Sequence, residues 1–257
     1  MTAVAADIAT RRDRESDLAD ALVALRNRLA KAVEAAGRNG AEIELLPITK
    51  FFPATDVAIL CGLGCSSFGE SREQEASAKV AELARLLGSP ASAVRWHMVG
   101  QIQRNKTRSL ARWAHTVHSV GSSRVVSALD RAVSAALDDG RRSDRLRVYI
   151  QLSLDGDVSR GGVDISAPGA VDELCAQVER SETLELVGLM GIPPLDWDPE
   201  AAFARLQAEH ARILQAHPEA VGLSAGMSND FEMAIKHGST CVRVGTALLG
   251  PRPLRSP

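Results

Sequence analysis

The apolar positions along the chain follow two spacings. Between residues 15 and 37, Leu18, Ala21, Leu22, Leu25 and Leu29 fall on one helical stripe and the stretch closes on Gly37, which predicts an amphipathic helix with a glycine terminator. Short apolar runs then alternate with helical stretches. "IELLPITK" precedes "ATDVAILCGLG", "CSSFGE" precedes a helix over about 72–87, and "VRWHMVG" precedes a basic helix over about 103–113. "HTVHSV" leads into an alanine-rich helix over 122–138, and "RLRVYIQLS" into "APGAVDELCAQVERS". "LELVGLMGI", "AVGLSAG" and "CVRVG" are followed by "PEAAFARLQAEHARILQAH", "NDFEMAIKH" and a last turn.

Eight strand-like runs, each followed by a helix or turn, with one extra helix in front, are the pattern of a parallel α/β sheet. Eight such units within about 220 residues fit a closed (β/α)₈ TIM barrel carrying an additional N-terminal helix. The rival is an open doubly wound sheet, but no GxGxxG follows the first strand. No Pro/Ser/Gly linker divides the chain. The expected organisation is a flexible lead-in over residues 1–13, one barrel domain over 14–250 and a tail over 251–257.

Composition narrows the partners. The 257 residues are 45% hydrophobic, enough for a substantial core, and 30 basic against 32 acidic residues leave a net charge of -2. That balance argues against nucleic acid or an anionic membrane, both of which require a sustained positive field. No window reaches the roughly 18 apolar residues of a membrane span, and the N-terminus lacks the apolar core of a secretory signal. Cys61, Cys65, Cys175 and Cys241 form no CxxC pair or zinc spacing and read as reduced thiols, so the expected setting is cytoplasmic.

Alternate strand residues of a barrel point to its centre. Val148, Ile150 and Leu152 make an apolar face, which turns Tyr149, Gln151 and Ser153 inward; by the same parity His97 groups with Arg95 and Val99, Lys50 with Leu46 and Ile48, and Arg243 with Cys241 and Gly245. A lysine at a strand end is by default a snorkelling surface residue, and a lone histidine is by default a satisfied structural one. A buried guanidinium needs an acceptor, which could be a carboxylate, backbone carbonyls or a ligand atom.

The last two loops add chemistry. "SAGMSND" carries Ser224 and Ser228, with Ser228 placed as N-cap of the following helix, and Gly245-Thr246 follows the last strand, where a glycine permits close approach of an anion. These are the loops in which barrels most often hold phosphate, although ordinary capping gives the same residues, and Asp230 already serves the helix dipole. A phosphate cradle, an amine opposite and an arginine between them would suit a phosphorylated aldehyde. That aldehyde is either pyridoxal phosphate or the substrate of a Schiff-base aldolase, and spacing alone does not choose.

"ELLPITKFFP", "SSFGESREQEASAK", "RWHMVGQIQRNK", "VHSVGSSR", "GLMGIPP" and "LSAGMSNDFEMAIKHGSTCVRVGTALLG" follow one another, over about residues 43–250, in an order that resembles the pyridoxal phosphate homeostasis proteins, the YggS/PROSC family. That family is similar to the barrel domain of alanine racemase, a fold-type III pyridoxal phosphate protein, without its second domain. The resemblance implies that Lys50 holds pyridoxal 5'-phosphate as an internal aldimine, that Ser224, Ser228, Gly245 and Thr246 hold its phosphate, and that Arg243 faces the pyridine nitrogen. An arginine there leaves the ring a weaker electron sink than a carboxylate would. His97 and Asn105 fall in the family's "WH…NK" block near the cofactor mouth, with roles left open. Ser71 and Ser153 stand where the family tends to have amides, Arg72 where it has an aromatic, and "SRGGVD" where it has a lysine-bearing loop.

The implied function is reversible binding of pyridoxal phosphate in its homeostasis, with transfer to apo-enzymes, by a monomer and without robust turnover. A racemase of this fold needs a second base, a tyrosine from the domain that is missing here, and the one tyrosine of this chain is Tyr149. The competing readings are a racemase-like pyridoxal phosphate enzyme acting on an unidentified amino acid and, behind it, an aldolase using Lys50.

Overall fold

The computed structural model describes residues 2–252, with side chains from Arg12 onward. The part of the expected tail beyond Arg252 lies outside the described residues. Among the described residues there are nine strands: β1 (Glu44–Pro47), β2 (Ser67–Glu70), β3 (Arg95–Met98), β4 (Thr116–Val120), β5 (Leu146–Ser153), β6 (Val163–Asp164), β7 (Leu184–Gly191), β8 (Gly222–Ser224) and β9 (Cys241–Val244). All pairings are parallel, in the order β1-β9-β8-β7-β5-β4-β3-β2, with the two-residue β6 attached to β5. A bridge between Ile48 and Gly69 joins the two ends of that path. The eight strands expected from the sequence therefore make a (β/α)₈ barrel. The unanticipated β6 lies in "SRGGVD", where two glycines hide a pairing too short to leave an alternating pattern.

The helices are α1 (Thr2–Ala35), α2 (Ala54–Gly62), α3 (Glu73–Leu87), α4 (Thr107–Trp113), α5 (Ser123–Asp138), α6 (Pro168–Glu179), α7 (Pro199–Ala216), α8 (Phe231–Lys236) and α9 (Thr246–Leu249). Helix α1 begins at Thr2 and thus runs through the segment expected to be a lead-in. Its stripe of Leu18, Leu22 and Leu25 is buried against α2, α8 and α9 in a cluster that includes Val57, Phe231 and Leu248. Fully burying one such leucine contributes about 1.5–3 kcal/mol, so this stripe fixes where α1 lies. Arg14 adds a salt bridge to Asp56 at 2.6 Å and donates to the Leu249 carbonyl at 3.1 Å.

The inward and outward faces follow strand parity. Val148, Ile150 and Leu152 join the large cluster under α5, α6 and α7, whereas Tyr149 packs with Val187 and Met190 inside the barrel. Leu46, Ile48 and Cys241 form another interior group with Val99 against them, while Trp96 and Met98 face the helices. No helix among the described residues is long and apolar enough to cross a membrane, and all four cysteines are unpaired.

Candidate functional site

The turn after β1 carries Lys50 and is held in place by its neighbours. Thr49 donates its hydroxyl to Glu70 Oε1 at 2.6 Å, and Lys79 Nζ donates to the same oxygen at 2.6 Å and to the Thr49 carbonyl at 2.7 Å. Phe51 has φ 72, a left-handed conformation unusual for a bulky residue. Its N–H donates to Glu75 Oε1 at 2.6 Å, which helps hold that conformation. Two acidic residues and a buried lysine thus set the backbone on both sides of Lys50.

Lys50 opens into a cavity of about 600 Å³ whose walls also include Ser71, Gly100, Ser228, Arg243 and Thr246. The loop after β7 contributes Pro193 and Trp197. The half-buried Lys50 amine is held below the usual lysine range by burial, then by Arg252 and, more weakly, by Arg72, against the opposing pull of Glu70 and Glu75. Both guanidinium groups lie over the Phe51 ring, Arg72 at 5.3 Å and Arg252 at 4.7 Å from its centroid. Arg72, which stands where the similar family has an aromatic, therefore places a charge near the amine.

Arg243 is 5% exposed. It donates from NH1 to Ser224 Oγ at 2.5 Å and from NH2 to the Gly191 carbonyl at 3.0 Å. No carboxylate among the described residues forms a salt bridge with it. Burial lowers its proton affinity, yet a guanidinium stays charged at any ordinary pH. Two of its five N–H groups are spoken for by these bonds, and its edge lines the cavity.

The far wall differs in detail from the expectation. Asp230, not Ser228, is the residue that precedes α8; its side chain makes no capping bond into the helix, and its Oδ1 accepts from the Met227 N–H at 2.6 Å, which closes the loop. Ser228 Oγ instead accepts from the Ala247 N–H at 3.3 Å, which ties the loop after β8 to the first turn of α9. Gly245 precedes Thr246 at that turn, where the first N–H groups have no partner within the helix.

The structure therefore gathers Lys50, Ser228, Arg243, Gly245 and Thr246 around one cavity. Ser224 lies behind Arg243, fully buried, with its hydroxyl on the guanidinium. His97 is inside the barrel towards the opposite mouth, where it lines a separate cavity with Glu44, His115 and Arg147. Asn105 lies in a surface depression with Arg104 and Ser123. Neither His97 nor Asn105 is brought to Lys50. Sequence reasoning missed Thr49, Glu70, Glu75, Lys79 and His118. Lys79 had a readable signal, since it shares the buried stripe of α3 with Ala76 and Leu83, and a charge within an apolar stripe demands a partner.

The chain matches the family described as "Alanine racemase, N-terminal domain" over residues 21–253. It is 72% identical over 258 residues to the pyridoxal phosphate homeostasis protein of Mycobacterium tuberculosis, covering 99% of this chain and 100% of that one. The protein of the same name from Escherichia coli K12 is 33% identical over 250 residues, with 92% and 97% covered. Among solved structures, PipY of Synechococcus elongatus with PLP bound superposes with a TM-score of 0.75 at 30% identity, covering 91% of this chain and all 100% of PipY. Alanine racemase from Corynebacterium glutamicum shares the fold alone, with a TM-score of 0.63 at 14% identity over 93% of this chain and 62% of the racemase.

Proposed function

The chain belongs to the family of pyridoxal phosphate homeostasis proteins, and from that premise we propose that it stores pyridoxal 5'-phosphate covalently and reversibly on Lys50. The observation that supports this reading is the convergence of Lys50, Arg243, Ser228 and Thr246 on one cavity of about 600 Å³. Bound pyridoxal phosphate supplies an aldehyde that a neutral primary amine attacks reversibly. The residues present fit that group. Lys50 offers an amine whose protonated form is disfavoured by burial and by Arg252. The loop pair joined through Ser228 and Ala247 brings the Ser228 hydroxyl and the Gly245–Thr246 backbone to one wall of the cavity, where a phosphate would sit. Arg243, lacking a carboxylate partner, offers N–H donors to the ring nitrogen.

The role we assign is to limit the free aldehyde in the cytoplasm and to release it to apo-enzymes, with the protein acting as a monomer. Turnover of amino acids is expected to be negligible. Tyr149 is buried in the barrel interior with its ring stacked 4.5 Å from that of His118, away from the cavity, and so supplies no base at the cofactor.

The test is the near-visible absorbance of protein loaded with pyridoxal phosphate, followed by borohydride reduction and mass analysis of the peptide containing Lys50. A reduced adduct on Lys50, absent in Lys50→Ala, is the expected result. Colour retained in that variant, or an adduct on another lysine, overturns the assignment. Amino-acid racemisation at ordinary enzymatic rates would favour the racemase-like alternative.

A further inference from the structure

A line of polar side chains runs along the barrel axis behind Arg243. Ser224 Oγ accepts from Arg243 NH1 at 2.5 Å, His118 Nδ1 lies 2.8 Å from Ser224 Oγ, and His118 Nε2 lies 2.9 Å from His97 Nδ1. All four residues are buried. At the far end His97 Nε2 has no hydrogen-bond partner and lies 3.9 Å from Glu44 Oε1.

The arginine end fixes the direction of the line. Arginine has only donors, so Ser224 must accept from it, and the serine proton is then free for His118 Nδ1. The Cys241 thiol also lies beside Ser224, but sulfur is a weak acceptor. With Nδ1 accepting, neutral His118 carries its proton on Nε2 and donates to His97 Nδ1. His97 then carries its own proton on Nε2, facing Glu44, which when ionised can only accept. The donor-only guanidinium at one end sets this polarity, and the carboxylate 3.9 Å from the other end favours it electrostatically.

We propose that His118 and Ser224 are positioning residues for the cofactor, forming with His97 a neutral, one-way hydrogen-bond chain that holds Arg243 by a hydroxyl instead of a carboxylate and keeps its remaining N–H groups aimed at the ring nitrogen. This rests on the cofactor reading above. Chains of this kind polarise along their length, so the acceptor strength that Ser224 presents to Arg243 depends on His118. Protonated His118 would turn an N–H towards Ser224 and set a second positive charge beside the guanidinium. Burial, first, and the neighbouring charge of Arg243 oppose that state.

Nitrogen-15 spectra of the unmodified protein at pH 7, with signals assigned through His97→Asn and His118→Asn, read the chain without any cofactor. Both rings are expected as neutral Nε2–H tautomers; an Nδ1–H tautomer or an imidazolium at His118 overturns the proposal. Pyridoxal phosphate titrations then read its consequence. His118→Leu should weaken binding about 10-fold and move the near-visible band, whereas His118→Asn, whose amide oxygen can replace Nδ1 as acceptor, should stay close to wild type. A folded His118→Leu protein with unchanged affinity and band also overturns it. If His118→Leu does not fold, the tautomers decide. Loss of the Lys50 adduct in the wild-type protein would refute storage on Lys50 and leave the tautomer result standing by itself.

Discussion

Lys79 and Glu70 face each other at 2.6 Å, the lysine 5% exposed and the glutamate fully buried, and through Thr49 they hold the turn that presents Lys50. One carboxylate oxygen, Glu70 Oε2, has no partner, so the pair already leaves one acceptor unsatisfied. Lys79→Met should strand the Glu70 charge and destabilise the protein by about 3–5 kcal/mol, read by urea denaturation. Adding Glu70→Gln to Lys79→Met should restore a large part of that loss. A single variant within 1 kcal/mol of wild type would contradict the clamp, on the scale of about 0–1 kcal/mol expected of exposed pairs.

If pyridoxal phosphate loads onto Lys50 as proposed, loading needs the neutral amine, and the two arginines over Phe51 disfavour the ammonium. Removing a nearby positive charge raises a lysine's proton affinity. Arg252→Ala and Arg72→Ala should therefore both move the pH midpoint of borohydride-trapped loading upwards, Arg252→Ala further. High salt should shrink the difference. A midpoint that moves down would refute this electrostatic account.

His97 is kept uncharged chiefly by burial, which outweighs the favourable Glu44 and acts with His115, Arg147 and Arg95 to push its pKa down to about 4. A histidine depressed in the folded state binds protons more readily when unfolded, so stability present above the unfolded value near 6.5 is lost as pH falls towards 4. Between pH 7.5 and 5 this one residue should cost on the order of 2 kcal/mol of unfolding free energy. Denaturant melts across that range check it, and His97→Asn should flatten the slope. An equally steep fall in the variant would assign the effect elsewhere.

Gly188 adopts φ +151, and a Cβ there would stand 1.8 Å from the Gly222 carbonyl oxygen of the adjacent strand. Gly188→Ala should destabilise the barrel by more than about 3 kcal/mol, since backbone must move to admit it. Gly37, at φ +62 with nothing within 4 Å of its would-be Cβ, is the control. Gly37→Asn should change stability by less than about 1 kcal/mol, because asparagine tolerates that left-handed region at a helix end.

The fold was largely legible because parity and helical period are local properties. Val148, Ile150 and Leu152 announced one face of β5, and Gly37 ended α1. Parity does not give height along the barrel axis, because strands tilt and stagger as the sheet closes. His97 sits within β3 while Lys50 lies beyond the end of β1, so two inward residues face opposite mouths. Ser224 was expected at the phosphate, but its interior position is taken up by Arg243. The clamp of Glu70, Glu75 and Lys79 joins elements across the β1–β2 junction, and such pairing is invisible until the strands are adjacent.

The closure of the barrel bears on how pyridoxal phosphate held at Lys50 would be released. The β1–β9 and β2–β3 ladders each register four residue pairs, whereas β1 meets β2 through the Ile48–Gly69 bridge, with Thr49 N–H donating to the Gly69 carbonyl at 3.0 Å. Lys50 is the next residue. The fastening of the hoop and the proposed attachment point of pyridoxal phosphate are thus one stretch of backbone, and a ligand spanning from Lys50 to the Thr246 turn would brace that fastening from within. Local opening there would expose the Thr49 amide to solvent and free a ligand held at Lys50, so loading should slow amide exchange and release together.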